Sequence, residues 1–465
     1  MKTPDEYRES LRDGRVLYLR GRRVEDITLE PGFAVPLANG AADYDYDADP
    51  DLRTYIGESG ERENRLFQIP RSEEELALRV ELMRTMSPVS ASVGALFALL
   101  NAEELLAEVN PDYARNVRAL YERCRDEDLR IAQLVTDPKG DRSRKPLEQD
   151  DPDLYLHVVE RRDDGIVVRG AKMHITGAAL VHEFIVLPTR GMGPGEEDYA
   201  VAFAVPANAP GIKIINRDSV SEPLSTFDYP VSGAHQMPEG LVVFDDVFVP
   251  NDRIFLLGEQ RLAAKLTRKL GLWERVLGLA GMVDRARLLV GAAQLLADYN
   301  GIGKASHVMD KITDLIFYAE TLDMALQSAI HNYKTTPSGM VYPDGKSINL
   351  GKYYGASNYH LMVRNIHDLC GAIVLTLPTE ADYRNPELTG DLEKYLHTHD
   401  GVTVEERMRL YNLVRDITAD TRGGWDMVTT LQSGGGLAAQ KILTYRGFDM
   451  DGAKALARRQ AGLDD

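Results

Sequence analysis

Six short apolar runs between residues 137 and 250 constrain the fold of this chain more than any other feature. Turn residues separate the runs, and no helical periodicity lies between them. Such spacing is typical of strands that follow one another in a meander, so we expect an antiparallel sheet or a small barrel. The runs are 154–160, 165–169, 183–189, 199–206, 212–215 and 241–249.

Helical periodicity surrounds this region on both sides. Residues 74–83 and 93–109 precede it, and the long segments 262–299, 308–334 and 353–370 follow it. Strands and helices that segregate along a chain indicate separate layers or domains. We therefore predict a mainly α, α+β protein with an N-terminal helical domain (1–145), a central antiparallel β-barrel (146–260) and a C-terminal helical bundle (261–465).

Charge and composition exclude several classes of protein. The 465 residues carry 54 Lys and Arg against 72 Asp and Glu, and the net charge of -18 opposes binding to nucleic acid. No run approaches the roughly 20 apolar residues of a membrane span. The charged start lacks the apolar region of a secretory signal, and this favours a cytoplasmic protein. Cys124 and Cys370 stand alone, without CxxC or HExxH spacing, so we expect no metal.

Residues 163–189 concentrate polar side chains between two apolar runs. We predict a turn at Asp164 and Gly165, a strand, a polar crest, and a second strand through residues 184–187. The crest carries Lys172, His174, Thr176 and His182. A Thr on a strand is commonly only a good β-former, and a His at a strand end is commonly structural. The alternative is that one of them contacts a ligand.

Three further stretches have both an ordinary and a functional interpretation. The loop at 136–142 is either solvated or a backbone cradle for a flavin or phosphate. Glu239 is either a surface charge or an acid–base group. The glycine-rich turn at 433–436 is either a loop or a place where a pyrophosphate approaches the backbone.

Long motifs in order along the chain resemble the 4-hydroxyphenylacetate 3-hydroxylase superfamily, and most of all its 4-hydroxybutyryl-CoA dehydratase branch. The motifs are TDPKGDR (136–142), the segment 151–178, HEFIVLPT (182–189), LVVFDDVFVPNDRIFL (241–256) and ADYNGIGKASHVMDK (297–311). The resemblance implies an acyl-CoA dehydrogenase-like architecture. It also implies a homotetramer with flavin between the barrel and the helical bundles.

The resemblance carries functional roles onto particular residues. Expected acid–base groups are His174, Glu239 and Asp451. The cofactor is expected to be FAD, with FMN as the alternative. The residues expected to bind it are Thr136, Asp137, Lys139, Arg142, His174, Thr176, Gly177, Ala178, Gly434 and Gly435.

Departures from the family pattern reduce the number of reactions that we expect this chain to catalyse. In an ungapped register, the four positions that hold the iron–sulfur cluster of the dehydratases are Pro88, Ser92, Glu274 and Gly281, which cannot build it. The phenol-binding residues of the hydroxylases are also replaced. Ser87, Ser90 and Gln133 stand in their region and are the expected substrate contacts.

A flavin signature without cluster ligands, and without an NAD(P)H-binding domain, favours one function. We expect a two-component monooxygenase that takes reduced flavin from a separate reductase and uses O2 on a small or carrier-bound molecule. One alternative is a cluster-free, flavin-dependent dehydratase or isomerase of an acyl thioester. Another is a flavin-binding homologue without catalysis.

Overall fold

The computed structural model describes residues 1–217 and 224–463. Eight helices precede the main strands: α1 (Pro4–Ser10), α2 (Ala34–Ala42), α3 (Pro50–Arg53), α4 (Glu73–Thr85), α5 (Pro88–Ala91), α6 (Gly94–Leu100), α7 (Glu103–Ala107) and α8 (Pro111–Asp126). The side chain of Ser72 caps α4, where its Oγ accepts a hydrogen bond of 3.2 Å from Glu75 N. The helical periodicity predicted over residues 74–83 therefore corresponds to α4.

The strands of the chain are short at the N-terminus and long in its centre. They are β1 (Leu17–Leu19), β2 (Arg22–Val24), β3 (Thr54–Ile56), β4 (Arg62–Asn64), β5 (Ile131–Leu134), β6 (His157–Arg162), β7 (Gly165–Thr176), β8 (Glu183–Val186), β9 (Val201–Pro206), β10 (Ile212–Arg217), β11 (Glu239–Pro250), β12 (Ile254–Leu257), β13 (Lys334–Thr335) and β14 (Val341–Tyr342). The pairs β3–β4 and β13–β14 are isolated two-stranded ribbons.

The central strands form two open sheets, and in the described part of the chain they do not close into the expected antiparallel barrel. One sheet has the order β2-β1-β10-β11-β7-β6, and the other β12-β9-β8-β5. The expected barrel is therefore not confirmed, and the sheets are not purely antiparallel, because strands from the N-terminal part enter both of them. β1 pairs in parallel with β10, and β5 pairs in parallel with β8. Each sheet therefore ends in edge strands.

Residues 163–189 also differ from the prediction in their pairing. Arg162 pairs with Gly165, so the turn lies one residue earlier, at Asp163 and Asp164. The expected crest residues Lys172, His174 and Thr176 all lie within β7, a single strand of 12 residues. The next run, β8, belongs to the other sheet, where it pairs with β5 and β9.

The C-terminal half is helical, as predicted. Its elements are α9 (Gln260–Tyr299), α10 (Ser306–His331), α11 (Gly345–Cys370), α12 (Ile373–Thr376), α13 (Glu380–Tyr383), α14 (Thr389–Tyr395), α15 (Val404–Thr418), α16 (Thr421–Gln432), α17 (Leu437–Gly447) and α18 (Met450–Gln460). The 40-residue helix α9 buries one face along α10 and α11 and also packs against α4 and α6. No described helix is long and apolar enough to cross a membrane.

Candidate active site

The C-terminal end of β7 meets the start of β11 at a largely buried carboxyl group. Thr176 pairs with Glu239 across the two strands, and Thr176 Oγ1 donates a hydrogen bond of 2.9 Å to Glu239 Oε1. Trp425 Nε1 on α16 donates to the same oxygen at 3.3 Å. Burial raises the pKa of Glu239, and the two neutral donors oppose that rise. Oε2 has no partner among the described residues.

A cavity of about 320 Å³ opens beside Glu239, between the sheet and helix α16. Its size falls within the roughly 300–1,000 Å³ of small-molecule sites. One part of the wall is polar or cationic: Arg217, Ser232, His235, Thr421 and Arg422. The remaining wall is formed by Met237, Gly424, Trp425 and Val428. Such a wall suits a flat, partly apolar ligand that carries negative groups.

His174 has a backbone conformation that is rare outside glycine. Its φ is +64°, and the ladder between β7 and β11 shifts register between Gly240 and Val242, opposite this point. A bulge of this kind turns a side chain out of the regular alternation and is frequent next to active sites. The His174 side chain is exposed. Neighbouring groups nevertheless remove part of the hydration of the imidazole, and this desolvation and the nearby ammonium group of Lys139 lower the pKa of His174, which favours the neutral ring at pH 7.

The loop at 136–142 is fastened to β7 by a buried ion pair. Lys172 Nζ lies 2.8 Å from Asp137 Oδ1, and both side chains are 2% exposed. The ammonium group also donates to the carbonyls of Val135 and Leu187. Met173 N donates to Thr136 O at 2.8 Å. Asp137 therefore holds the loop in place, whereas Lys139 is only partly buried and Arg142 is exposed.

Gly177 and Ala178 follow Thr176 directly after the end of β7. Gly177 has a φ of +71°, and its N–H donates to Pro238 O at 2.9 Å. A Cβ at this position would lie 3.4 Å from Val89 Cγ2 on α5. This close packing brings the N-terminal helices against the end of β7. Ala178 is buried.

The expected substrate residues have partners within the protein. The backbone N–H and the hydroxyl of Ser87 donate to Asp43, and Ser90 Oγ accepts a 2.7 Å hydrogen bond from the buried Arg130. Gln133 Oε1 accepts from Ala95 N at 3.1 Å. Burial raises the pKa of Glu274, and the neighbouring Gln133 side chain opposes that rise.

Three expected site residues do not contact Thr176, Glu239 or Trp425. Gly434 and Gly435 have φ values of +66° and +96° in the turn before α17, and Gly434 O accepts a 2.7 Å hydrogen bond from Arg275 Nε on α9. Asp451 lies on α18, where its side chain is 95% exposed and contacts Lys454. The described chain therefore does not bring Asp451 to Glu239.

Sequence reasoning missed several groups of the site. Trp425, His235 and Arg422 enter the cavity from segments without a recognised motif. Trp425 is one of only two tryptophans, and that rarity was the one signal that pointed to it. Among the described residues, no group of three or more His, Cys, Asp or Glu side chains is arranged to hold a metal ion.

Comparison with known proteins covers nearly the whole chain. Residues 3–256 match the family model of the 4-hydroxyphenylacetate 3-hydroxylase N terminal region, and residues 263–462 match the C terminal one. The chain is 31% identical to a 4-hydroxybutyryl-CoA dehydratase/vinylacetyl-CoA-Delta-isomerase of Clostridium aminobutyricum, over 100% of both chains. It is 32% identical to a 4-hydroxyphenylacetate 3-monooxygenase oxygenase component of Thermus thermophilus, over 90% of this chain and 88% of the relative.

Two solved structures extend the likeness to the fold. An archaeal 4-hydroxybutyryl-CoA dehydratase from N. maritimus superposes with a TM-score of 0.91 at 30% identity, over 100% of this chain and 95% of the other. The oxygenase component (HpaB) of a 4-hydroxyphenylacetate 3-monooxygenase, complexed with FAD, gives 0.90 at 29% identity, over 100% and 98%. The chain belongs to the 4-hydroxyphenylacetate 3-hydroxylase family.

Proposed function

We propose that this protein is the oxygenase component of a two-component, flavin-dependent monooxygenase. It takes reduced FAD from a separate reductase and oxygenates a small or carrier-bound organic molecule with O2. The observation that carries the proposal is the hydrogen-bonded set of Thr176, Glu239 and Trp425 at a cavity between sheet and bundle, in a chain whose full length matches the family. Oxygenase components of this kind are among its relatives.

The residues around the cavity fit a flavin. Trp425 offers an aromatic face, and Arg217 and Arg422 offer cationic groups for a negatively charged nucleotide, with Arg422 held by Asp426 at 3.0 Å. Thr176 adjoins the cavity through its hydrogen bond to Glu239. The loop from Thr136 to Arg142 and the segment Thr176–Ala178 form the proposed wall. Gly434 and Gly435 are proposed for the nucleotide part, because glycine has no side chain that would keep a ligand away from the backbone. Bound reduced FAD would supply the two electrons that O2 activation requires.

The chain's own residues would position groups and handle protons. Glu239, whose Oε2 has no partner among the described residues and whose pKa is raised by burial, can hold a proton at higher pH than an exposed carboxyl group and deliver it to a group in the cavity. His174, neutral and exposed at the bulge, can accept one. The apolar part of the wall excludes water from the reacting groups. Ser87, Ser90 and Gln133 are proposed to position substrate from the N-terminal side. Asp451 is proposed as a further acid–base residue.

The assembly and the domain division are also proposals. Helices α16 to α18 expose large apolar side chains, and such surfaces mark subunit contacts. These side chains are Val428, Ile442, Tyr445, Phe448 and Leu456. We propose the homotetramer, the cytoplasmic location, the acyl-CoA dehydrogenase-like assembly and the domains 1–145, 146–260 and 261–465 on this basis and on the sequence pattern.

A second candidate is a cluster-free dehydratase or isomerase of an acyl thioester. The full-length likeness to the dehydratase of Clostridium aminobutyricum favours it. The residues at the cluster positions weigh against the cluster-assisted route, because Pro88 and Gly281 have no ligand atoms in their side chains and Ser92 Oγ donates to Pro88 O.

One experiment separates the two candidates. Full-length protein receives chemically reduced FAD and ¹⁸O2 with 4-hydroxyphenylacetate, 4-nitrophenol or 4-hydroxybutyryl-CoA, and products are analysed by mass spectrometry. A hydroxylated phenol that carries one ¹⁸O atom supports the monooxygenase. Loss of water from the thioester, with no ¹⁸O incorporated, supports the dehydratase. Absence of ¹⁸O from every product overturns the monooxygenase proposal.

A further inference from the structure

Helix α16 carries one buried carboxylate between two guanidinium groups. The side chain of this residue, Asp426, is only 2% exposed. On the side of the helical bundle, Arg285 Nη1 of α9 lies 3.2 Å from Asp426 Oδ1. On the side of the cavity, and one turn earlier on α16, Arg422 Nε donates a hydrogen bond of 3.0 Å to Asp426 Oδ2. One negative charge therefore faces two positive charges, and one positive charge remains uncompensated.

Arg285 makes a second contact within the bundle. Its Nη2 donates to Thr430 Oγ1 at 3.4 Å, and Lys352 Nζ of α11 donates to the carbonyl of the same threonine. These contacts hold α16 against α9 and α11 on the side away from the cavity. Asp426 therefore has a fixed position, and the direction of the Arg422 side chain depends on it.

Arg422 reaches the cavity that Glu239 also lines. Asp426 occupies only its Nε, and the two terminal nitrogens of Arg422 donate to no group in the described part of the chain. Such a guanidinium group presents a planar fork that matches two oxygens of a phosphate group or a carboxylate. Its Cζ lies 5.3 Å from the centroid of the Trp425 ring, so the fork stands beside the aromatic part of the wall.

Three other titratable or charged groups line the cavity around Glu239. They are Arg217, which stands opposite Glu239 on β10, Arg422 on α16, and His235 on the loop before β11. Loss of hydration and the charge of Arg422 lower the pKa of His235, which favours its neutral form at pH 7. The two arginines are therefore the cations that Glu239 could pair with.

Neither arginine is paired with Glu239 in the described part of the chain. The donors to this carboxyl group are the neutral side chains of Thr176 and Trp425. A flexible arginine beside a largely buried carboxyl group would ordinarily turn toward it, because charge-assisted hydrogen bonds are stronger than neutral ones. The contact with Asp426 accounts for the separation, since it directs the guanidinium group of Arg422 away from Glu239.

We propose that Asp426 is a positioning residue, which keeps Arg422 away from Glu239 and presents the terminal nitrogens of Arg422 to a phosphate group of the flavin nucleotide. Glu239 can then keep its proton although a guanidinium group lies in the same cavity. The cavity can hold a neutral acid and a bound anion at the same time. This inference rests on the proposed function and extends it to a residue that does not itself line the cavity.

The first measurement follows Glu239 without any ligand. Trp425 donates to Glu239, so the tryptophan fluorescence of the full-length protein should change as Glu239 ionises, and Glu239→Gln supplies the blank. In Asp426→Asn the freed guanidinium group can pair with Glu239, and a cation at about 4–6 Å lowers the pKa of a carboxyl group. We expect the step to move to lower pH by about one pH unit or more. Asp420→Asn removes a charge from the start of the same helix but keeps its cap, and it should leave the step in place.

The second measurement compares two flavins. FAD carries two phosphate groups, and riboflavin has the same ring system without any. We expect Asp426→Asn and Arg422→Gln each to weaken FAD binding by about tenfold or more, as the loss of a hydrogen bond between charged groups does, and to leave riboflavin binding unchanged. Only Asp426→Asn should also move the Glu239 step, because Arg422→Gln has no guanidinium group to pair with Glu239. Fluorescence titration measures both affinities.

An unmoved step in Asp426→Asn overturns the proposal. An unchanged affinity for FAD does the same, and so does an equal loss of affinity for FAD and riboflavin. If Asp426→Asn does not fold, Asp426→Asn with Arg285→Met takes its place, because the guanidinium group left without its carboxylate is then removed as well. Failure of both flavins to bind the wild type overturns the flavin-dependent function and the phosphate contact with it. A moved step would then still show that Asp426 separates Arg422 from Glu239.

Discussion

Two carboxyl groups from other segments, those of Asp137 and Glu239, contact strand β7, and their partners on the strand differ. At Lys172, the Asp137 carboxylate meets an ammonium group at 2.8 Å. At Thr176, four residues later, the Glu239 carboxyl group meets only two neutral donors. Burial raises the pKa of both acids, but only Asp137 has its charge compensated inside the protein. The ion pair of Asp137 therefore stabilises the fold, whereas the Glu239 carboxyl group remains able to interact with a ligand.

The largest effect on stability is expected from breaking the ion pair between Lys172 and Asp137. Lys172→Met leaves a buried carboxylate without its cation, which typically costs about 3–5 kcal/mol of stability. The loop at 136–142 also loses its fastening, so FAD affinity should fall. Urea unfolding and FAD titration measure both quantities.

A double variant serves as the control for Lys172→Met. In Lys172→Met with Asp137→Asn, the uncompensated charge is gone, and the amide oxygen of the new side chain can still accept from Leu156 N, as Asp137 Oδ1 does at 3.1 Å. We expect most of the lost stability to return. If the double variant is as unstable as the single one, the ion pair is not what fastens the loop.

Replacing the uncompensated carboxyl group should affect turnover and spare the fold. Glu239→Gln keeps a side chain of the same shape, but its amide cannot exchange a proton at neutral pH. Positioned acid–base groups contribute about 100-fold or more to rate. We expect a loss of about this size in product formation with the best phenol, with the unfolding midpoint near that of the wild type. Glu160→Gln, on the exposed surface of β6, is the matched control. Unchanged turnover in Glu239→Gln would place the proton transfer elsewhere.

Thr176→Val should produce a smaller effect. The valine keeps the volume of the side chain but removes the hydroxyl group that donates to Glu239. One hydrogen bond contributes about 1 kcal/mol, which corresponds to about fivefold in FAD affinity or in turnover. Fluorescence titration with FAD and steady-state rates test this. Values equal to those of the wild type in both assays would remove Thr176 from the site.

The smallest expected effect is the change in the free energy of unfolding with pH. The pKa of Glu239 is raised above its ordinary value of 4.5, so the folded protein binds this proton more tightly than the unfolded chain does. Its contribution to stability is complete below the ordinary value and is lost as the pH rises through the raised pKa. Wild type should lose stability over that window relative to Glu239→Gln, in which this position does not titrate. Urea unfolding at a series of pH values measures this loss. Parallel pH profiles of the two proteins would show that this carboxyl group titrates as it does in water.

The family and the order of structural classes were accessible from the sequence alone. Periodicity separated helices from strands because each pattern repeats over a few neighbouring residues. Motifs in order identified the family and singled out Thr176 and Glu239 as candidate site residues, but the pairing of these two residues across β7 and β11 came from the structure. The roles expected for Ser87, Ser90 and Asp451 came only from aligning the chain with the family pattern. Nothing in the sequence indicated which residues these side chains contact.

Only the tertiary structure decided which polar or charged side chains have a partner inside the protein. The sequence presented Lys172, His174 and Thr176 as one crest. The fold buries Lys172 against Asp137, turns His174 outward at a bulge, and places Thr176 beside Glu239 and Trp425. It also brings Gly94, Gln133 and Glu274 together from three distant segments. Local pattern determines where strands and helices form. The partner of a buried charge depends on long-range packing, and that packing separates a structural carboxylate from one available to a ligand.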